Sequence, residues 1–295
     1  MSDISIVTAF FDIGRGDWTP SKGLPHYLER STETYIERFS HMCKLENEIV
    51  VLTSPHLVER LEEVCADRMD RTKIIALDVQ KQFASMRENI ERVQKSSEFK
   101  NAVMPSQSKN PEYWNPDYVL VTDLKAYFTH YAIGKKLTTN DMVAWIDFGY
   151  CRSEKNIPPS KKWSYDFDPE KIHLFSYKDF DRSTPVSQAI LSNDVYILGA
   201  KVVAHKDKWP ILEGLMRESF NKLLDNNLVD DDQGLWLVSY LLHPESFQLH
   251  KIPDHQLGHD PFVLFNDFNE MLELPAGESP HFAILGSNLN EYNYQ

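Results

Sequence analysis

Unbroken apolar runs and helical spacings alternate down the first half of the chain. Residues 4–12, ISIVTAFFD, form a continuous apolar run closed by an aspartate, the pattern of a strand buried on both faces. GRGDWTPSKGLP follows, dense in Gly and Pro, and reads as a loop. Ser31 or Thr32 then caps a helix running to Lys44, with Tyr35, Ile36 and Phe39 on one face. EIVVLTS at 48–54 predicts a second buried strand, residues 56–69 a helix and KIIALD at 73–78 a third strand. Residues 81–95 place Phe83, Met86, Ile90 and Val93 at helical spacing. The polar stretch 96–116, with three prolines, predicts a loop, and 117–136 a single long helix. MVAWIDF at 142–148 is a fourth buried strand, again ending in an aspartate, and a lysine- and proline-bearing loop follows at 152–168. Strands are expected at 171–176, 195–205 and 247–252, and helices at 208–226 and 233–242; from 255 onward the pattern selects no element. Strand–helix alternation of this kind implies right-handed crossovers and a mostly parallel sheet. With no internal repeat and no linker, the expected fold is a single α/β domain, a mostly parallel central sheet flanked by helices.

Composition narrows the setting. A length of 295 residues suits one large domain or two small ones. Hydrophobic and charged fractions of 42% and 25% exclude a disordered chain. No apolar run reaches the ~18–20 residues of a membrane span, and the opening MSDISIVTAFF has neither the basic nor the long apolar region of a secretory signal. Cys43, Cys65 and Cys151 show no CxxC spacing, which points to free thiols in a reducing, cytoplasmic compartment. The net charge of −13 sets the chain against polyanionic nucleic acid, while a local basic site can still hold a phosphate group.

Ligands of open α/β sheets bind beyond the carboxyl ends of the strands. That directs attention to residues 8–15, 53–55 and 147–152, to Asp78 and to His205. In WIDFG, Asp147 leaves a buried strand and can hold a divalent cation or a sugar hydroxyl; equally, it can cap the next turn. In VDDDQGLW, Asp231 or Asp232 is the expected N-cap of the following helix, and either carboxylate can also take a hydroxyl proton. Arg15 and Arg152 are the cations at strand exits, suited to forked phosphate contacts. Lys125 is either on a solvated helix face or aimed at a donor phosphate. Several tempting patterns fail. Gly14 and Gly16 do not complete GxGxxG, Asp147–Gly149 lacks the other kinase motifs, and GRGDW in a chain without an export signal is no adhesion motif. None of the 11 histidines forms HExxH. His243, His250, His255 and His259 cluster late without a known ligand spacing, and His281 is a late candidate for a metal or phosphate ligand.

VTAFFDIGRGDW (7–18), KAYFTHYA (125–132), WIDFGYCR (145–152), AKVVAHKDKW (200–209) and DDQGLW (231–236) together resemble the HtrL/YibB family. The family is bacterial and often encoded beside lipopolysaccharide or capsule genes. It is in turn similar to GT-A type nucleotide-sugar glycosyltransferases. The likeness spans residues 4 to 250 and implies a GT-A-like single domain, with residues 1–150 as the nucleotide-sugar-binding half and 151–295 as the acceptor-binding half. It implies a glycosyltransferase that moves a sugar from a nucleotide-diphosphate donor to a lipopolysaccharide or capsule acceptor. Asp147 takes the place of the first aspartate of a DxD motif, and Gly149 stands where the second would be. The motif implies Mn²⁺ or Mg²⁺ on Asp147 with help from His281, but the second carboxylate is missing.

On this reading Thr8, Ala9, Phe10, Arg15, Lys125 and Asp147 face the donor. Arg15 and Lys125 are assigned by position. Tyr150, Arg152, His205 and Gln233 face the substrate, and Tyr150, Trp209 and Trp236 offer stacking faces or pack the core. Asp232 or Asp231 is the base of an inverting transfer. A lipid-linked acceptor implies work at the inner membrane face, with peripheral contact through the lysines of 155–162 and no transmembrane segment. The alternative is a non-catalytic carbohydrate-binding or assembly protein of the same apparatus. A sugar-nucleotide hydrolase or phosphotransferase requires more clustered carboxylates than the sequence offers.

Overall fold

Seven strands form one sheet in the order β3-β2-β1-β4-β6-β5-β7. The structure, a computed structural model, describes residues 3–252 and residue 262. The strands are β1 (Ile4–Phe10), β2 (Ile49–Thr53), β3 (Thr72–Ala76), β4 (Met142–Ile146), β5 (Ile172–Ser176), β6 (Lys201–His205) and β7 (Phe247–Lys251). β3, β2, β1 and β4 run parallel. β6 is antiparallel to both β4 and β5, and β7 is parallel to β5. β6 is therefore the one described strand that opposes the rest, and the expected mostly parallel sheet is present. Strands from both halves of the chain share it.

The helices are α1 (Thr32–Met42), α2 (Val58–Val64), α3 (Val79–Gln82), α4 (Ala84–Lys95), α5 (Ser97–Ala102), α6 (Pro116–Asp123), α7 (Lys125–Gly134), α8 (Val186–Ser192), α9 (Trp209–Asp225) and α10 (Asp232–Leu242). They cover both faces of the sheet, which is why its strands are unbroken apolar runs. Side chains alternate between faces. Val50 and Leu52 join the core under α4, α6, α7, α9 and α10, while Ile49 and Val51 join the core under α1 and α2.

Three local differences separate the structure from the sequence expectation. The stretch 117–136 is two helices, because the Thr122 hydroxyl donates back to the carbonyls of Tyr118 and Val119, a bond that bends helices. Lys125 thereby opens a new helix instead of lying inside one. The stretch 96–116 contains α5, capped by the Ser96 hydroxyl accepting from Phe99 N. Only residues 201–205 of the predicted 195–205 strand pair as β6; Gly199 and Ala200 remain a connecting turn.

Cys43, Cys65 and Cys151 are free thiols, although the sulfurs of Cys43 and Cys65 lie 3.7 Å apart. No described helix is long and apolar enough to cross a membrane.

Asn47 fastens the start of β1 to the loop before β5. Its buried amide donates to the carbonyls of Ile4 (2.9 Å) and Trp163 (2.7 Å) and accepts from Trp163 N (2.8 Å). Asn47→Ala leaves these groups unpaired in the interior and should lower unfolding free energy by about 2–3 kcal/mol. A urea titration showing no shift of the midpoint would contradict that role.

Candidate active site

The carboxyl ends of β1 and β4 and the amino end of antiparallel β6 meet at one edge of the sheet. There they border a cleft of about 700 Å³. At its floor the Lys125 ammonium, 4% exposed, gives its three protons to Asp147 Oδ1 (2.8 Å), Asp232 Oδ2 (2.9 Å) and the Gly199 carbonyl (3.0 Å). Burial disfavours the ammonium, but the charges of Asp147 and Asp232 outweigh it and hold its pKa above the usual lysine value. Lys125 is thus neither on a solvated face nor a spare cation for phosphate. It joins the acid after β4, the first turn of α10 and the turn before β6.

The two acidic blocks divide the roles that the sequence left open. Asp231 is the N-cap of α10, accepting from Gln233 N, with Tyr118 Oη donating to its second oxygen. Asp232 is the first helical residue. Its Oδ2 accepts from Lys125 and from Trp236 Nε1 (3.0 Å), and no hydrogen bond among the described residues occupies Oδ1. Burial pushes the Asp232 carboxyl up to about 8, with Asp231 and Asp147 adding to it and Lys125 pulling back. Glu112, buried on the same wall, is also pushed up to about 8, by burial and by Asp231. Two glycines make room for these acids. A Cβ on Gly199 would stand 2.3 Å from Asp232 Oδ2, and one on Gly234 would stand 2.1 Å from Asp230 Oδ2.

In WIDFG, Trp145 and Ile146 close β4 on opposite faces of the sheet. Trp145 donates its indole N–H to Asp147 Oδ1 (2.8 Å). Phe148 stacks on Phe10 and Phe39 at 4.9 and 4.3 Å in the core beneath α1 and also borders the cleft. Asp147 and Gly149 remain on the cleft wall. Arg15 reaches the cleft from the loop after β1, donating to Tyr35 Oη (2.6 Å), with Trp18, Tyr35 and Tyr118 around its guanidinium.

Of the residues singled out from sequence, Ala9, Phe10, Arg15, Lys125, Asp147, Tyr150, Arg152, Asp231, Asp232 and Gln233 line this cleft. Thr8 does not; it is fully buried inside β1. His205 does not either. It ends a strand that runs against β4 and pairs with Met142 at the opposite edge of the sheet, so its strand exit faces away. Trp209 is buried, with its indole near the carbonyls of Val143 and Ala204, and Trp236 is core; neither offers a stacking face. His243 contacts Glu218, while His250 stacks on His173 and is pushed down to about 4 by burial and that neighbour. His255, His259 and His281 lie outside the described residues.

The cleft also contains residues that the strand-exit rule missed: Arg30, Tyr35 and Arg38 around α1, and Glu112 and Tyr118 around α6. Arg30, Arg38 and Arg152 are close enough that, after burial, the Arg30 and Arg152 charges are the main influences lowering the Arg38 pKa. One arginine just before α1 and one within it were the available sequence signal.

A two-carboxylate metal site does not fit these residues. Asp147 Oδ1 already accepts from Lys125 and Trp145. Position 149 has no side chain, and no group of three or more His, Cys, Asp or Glu able to hold a metal ion occurs among the described residues.

The chain belongs to the HtrL/YibB family: the family model described as "Bacterial protein of unknown function (HtrL_YibB)" matches residues 2–267. It is 43% identical over 251 residues to Protein HtrL of Escherichia coli (strain K12), covering 84% of this chain and 87% of that protein. Among solved structures it is similar to mouse xyloside xylosyltransferase 1 in its apo form, with a TM-score of 0.44 and 12% identity over 88% of this chain and 92% of that one. At that identity and score the likeness is one of outline only.

The raised carboxyl pKa values have a consequence for stability. A carboxyl that holds its proton more tightly folded than unfolded contributes fully below the unfolded value near ~4. That contribution is lost as pH rises through about 8 for Asp232 and Glu112. Unfolding free energy measured in urea should therefore decline between those limits, and Asp232→Asn and Glu112→Gln should each flatten the decline. Slopes identical to wild type would show that these groups are ionised in the fold throughout. Gly199→Ala should mimic loss of the Lys125–Asp232 pair, because its Cβ takes the space of the carboxylate. An alanine variant with wild-type stability would contradict the close approach.

Proposed function

We propose that this protein is a glycosyltransferase that uses a nucleotide-diphosphate sugar and glycosylates a surface-glycan acceptor of the lipopolysaccharide or capsule type. The observation that carries the reading is the meeting of Asp147 and Asp232 on one buried lysine, on the floor of a cleft at the carboxyl ends of β1 and β4. The HtrL/YibB motifs occupy this same place: the first strand's exit, KAYFTHYA, WIDFG and DDQGLW all contribute to the cleft or its floor.

In an inverting transfer the acceptor hydroxyl attacks the anomeric carbon as the bond from that carbon to the donor phosphate breaks. The electron pair leaves with the diphosphate, and the hydroxyl proton passes to Asp232 Oδ1. Burial raises the proton affinity of the Asp232 carboxyl, so its ionised form, which grows as pH rises towards 8, is a stronger base than an exposed carboxylate. Lys125 holds Asp232 Oδ2, so the carboxylate is oriented while its other oxygen works. Asp231 uses one oxygen to cap α10 at Gln233 N and the other to accept from Tyr118; this favours Asp232 over Asp231 as the base. Asp147, held by Lys125 and Trp145, is positioned to accept sugar hydroxyls of the donor. Tyr150 supplies an aromatic wall.

Titration of UDP- and GDP-sugars into the purified protein, with and without Mn²⁺, should reveal binding of one nucleotide class; binding of neither, or of CMP-sugars alone, would end this reading. With the binding donor and purified deacylated lipopolysaccharide, Asp232→Asn should slow release of the nucleotide by ~10²–10⁴-fold with donor affinity kept. Full turnover in that variant would remove Asp232 as the base.

A further inference from the structure

The acid end of the cleft is matched by a basic end. Arg15 follows β1, Arg30 and Arg38 flank and enter α1, and Arg152 follows β4; all four line the cleft. The chain carries 31 basic against 44 acidic side chains, so four arginines on one wall stand out from an acidic background. They crowd one another: beyond burial, Arg30, Arg152 and Arg15 each disfavour the charge on Arg38. Guanidinium groups lining one cleft are suited to an anionic ligand.

Gly149 ties this wall to the altered motif. A Cβ at that position would approach Tyr35 Cδ1 to 2.8 Å and Cε1 to 2.9 Å, and lie 3.7 Å from Arg38 Cδ. The place of a second acid is thus filled by the Tyr35 ring and the Arg38 stem. That same tyrosine accepts the Arg15 guanidinium N–H at 2.6 Å, and three aromatic rings surround Arg15. An acid at 149 would require moving the side chain that positions Arg15. With Tyr35 and Arg38 where they stand, the basic wall leaves no room for a side chain at 149.

Resting on the glycosyl-transfer reading, we infer that Arg15, Arg30, Arg38 and Arg152 bind the donor diphosphate in place of a divalent cation, so that donor binding and transfer need no metal. Guanidinium forks match phosphate oxygens bidentately and carry their charge at every accessible pH. As the anomeric carbon–oxygen bond breaks and negative charge grows on the departing diphosphate, fixed cations at its oxygens stabilise it. The nearby Asp147, already neutralised by Lys125, adds little repulsion.

Inorganic pyrophosphate titrated calorimetrically into the full chain in EDTA tests the wall itself. Binding is expected in EDTA and should weaken with added salt. Arg38→Gln and the exposed Arg152→Gln should each weaken it by about tenfold or more, whereas Asp147→Asn should leave it unchanged or tighter. Arg152→Gln lies on the surface and keeps the test valid if Arg38→Gln fails to fold. Pyrophosphate binding that appears only when Mn²⁺ is supplied, binding that is lost in Asp147→Asn, or arginine variants that bind like wild type would each overturn the inference. The two readings fail separately. Turnover of a nucleotide sugar only with Mn²⁺ would overturn the arginine wall and leave the transferase. Arginine-dependent pyrophosphate binding without turnover of any sugar nucleotide would leave the wall and remove the transferase.

Discussion

A single buried ammonium holds the site together. Lys125 has almost no access to water, and each of its three protons goes to a different part of the chain: Asp147 beyond β4, Asp232 in α10, and the Gly199 carbonyl before β6. Removing one member of such a buried ion pair leaves an uncompensated charge, at a cost of about 3–5 kcal/mol. The local backbone is shaped around this contact. The helix break at Leu124 places Lys125 at the start of α7, and the absent side chains of Gly199 and Gly234 let carboxylates approach the backbone at distances no other residue permits.

The cleft is polarised as a result. Asp230, Asp231, Asp232 and Glu112 gather near α10, where burial and mutual repulsion raise their pKa values. The arginines gather around α1 and beyond β4. Arg15, over the ring of Tyr118, stands closest to the acids, since that tyrosine's hydroxyl donates to Asp231. The proposed transfer would use that polarity, with the anionic leaving portion at one end and the hydroxyl to be deprotonated at the other. The separation of roles between neighbouring aspartates follows from one residue of helix geometry. Asp231 spends its oxygens on the cap and on Tyr118, while Asp232, one position further on, turns to Lys125.

Much of the fold was legible in the chain because its strands are buried on both faces and so read as uninterrupted apolar runs. β1, β2, β3 and β4 fall where those runs stand. The helix break at Leu124 was not legible, since it depends on where the Thr122 hydroxyl turns. The strand-exit rule found Asp147, Arg15 and Arg152, but it misplaced His205 because the direction of β6 is not written in its composition. Arg30, Arg38 and Glu112 escaped notice because they sit on helices and loops that only the crossovers bring to the cleft.

By itself, then, the sequence determined the class of fold and the acidic blocks that face the cleft. Hydrophobic periodicity and strand-terminal aspartates are local properties, and local properties survive in a linear reading. The tertiary structure decided which charges meet. Lys125 is separated by 107 residues from Asp232, and their contact exists only because the sheet brings β4, β6 and α10 to one edge. It also decided what stands beside Gly149, where Tyr35 and Arg38 fill the space of a second acid. Contacts between residues distant in the chain are set by strand order and direction, and no window of sequence contains that information.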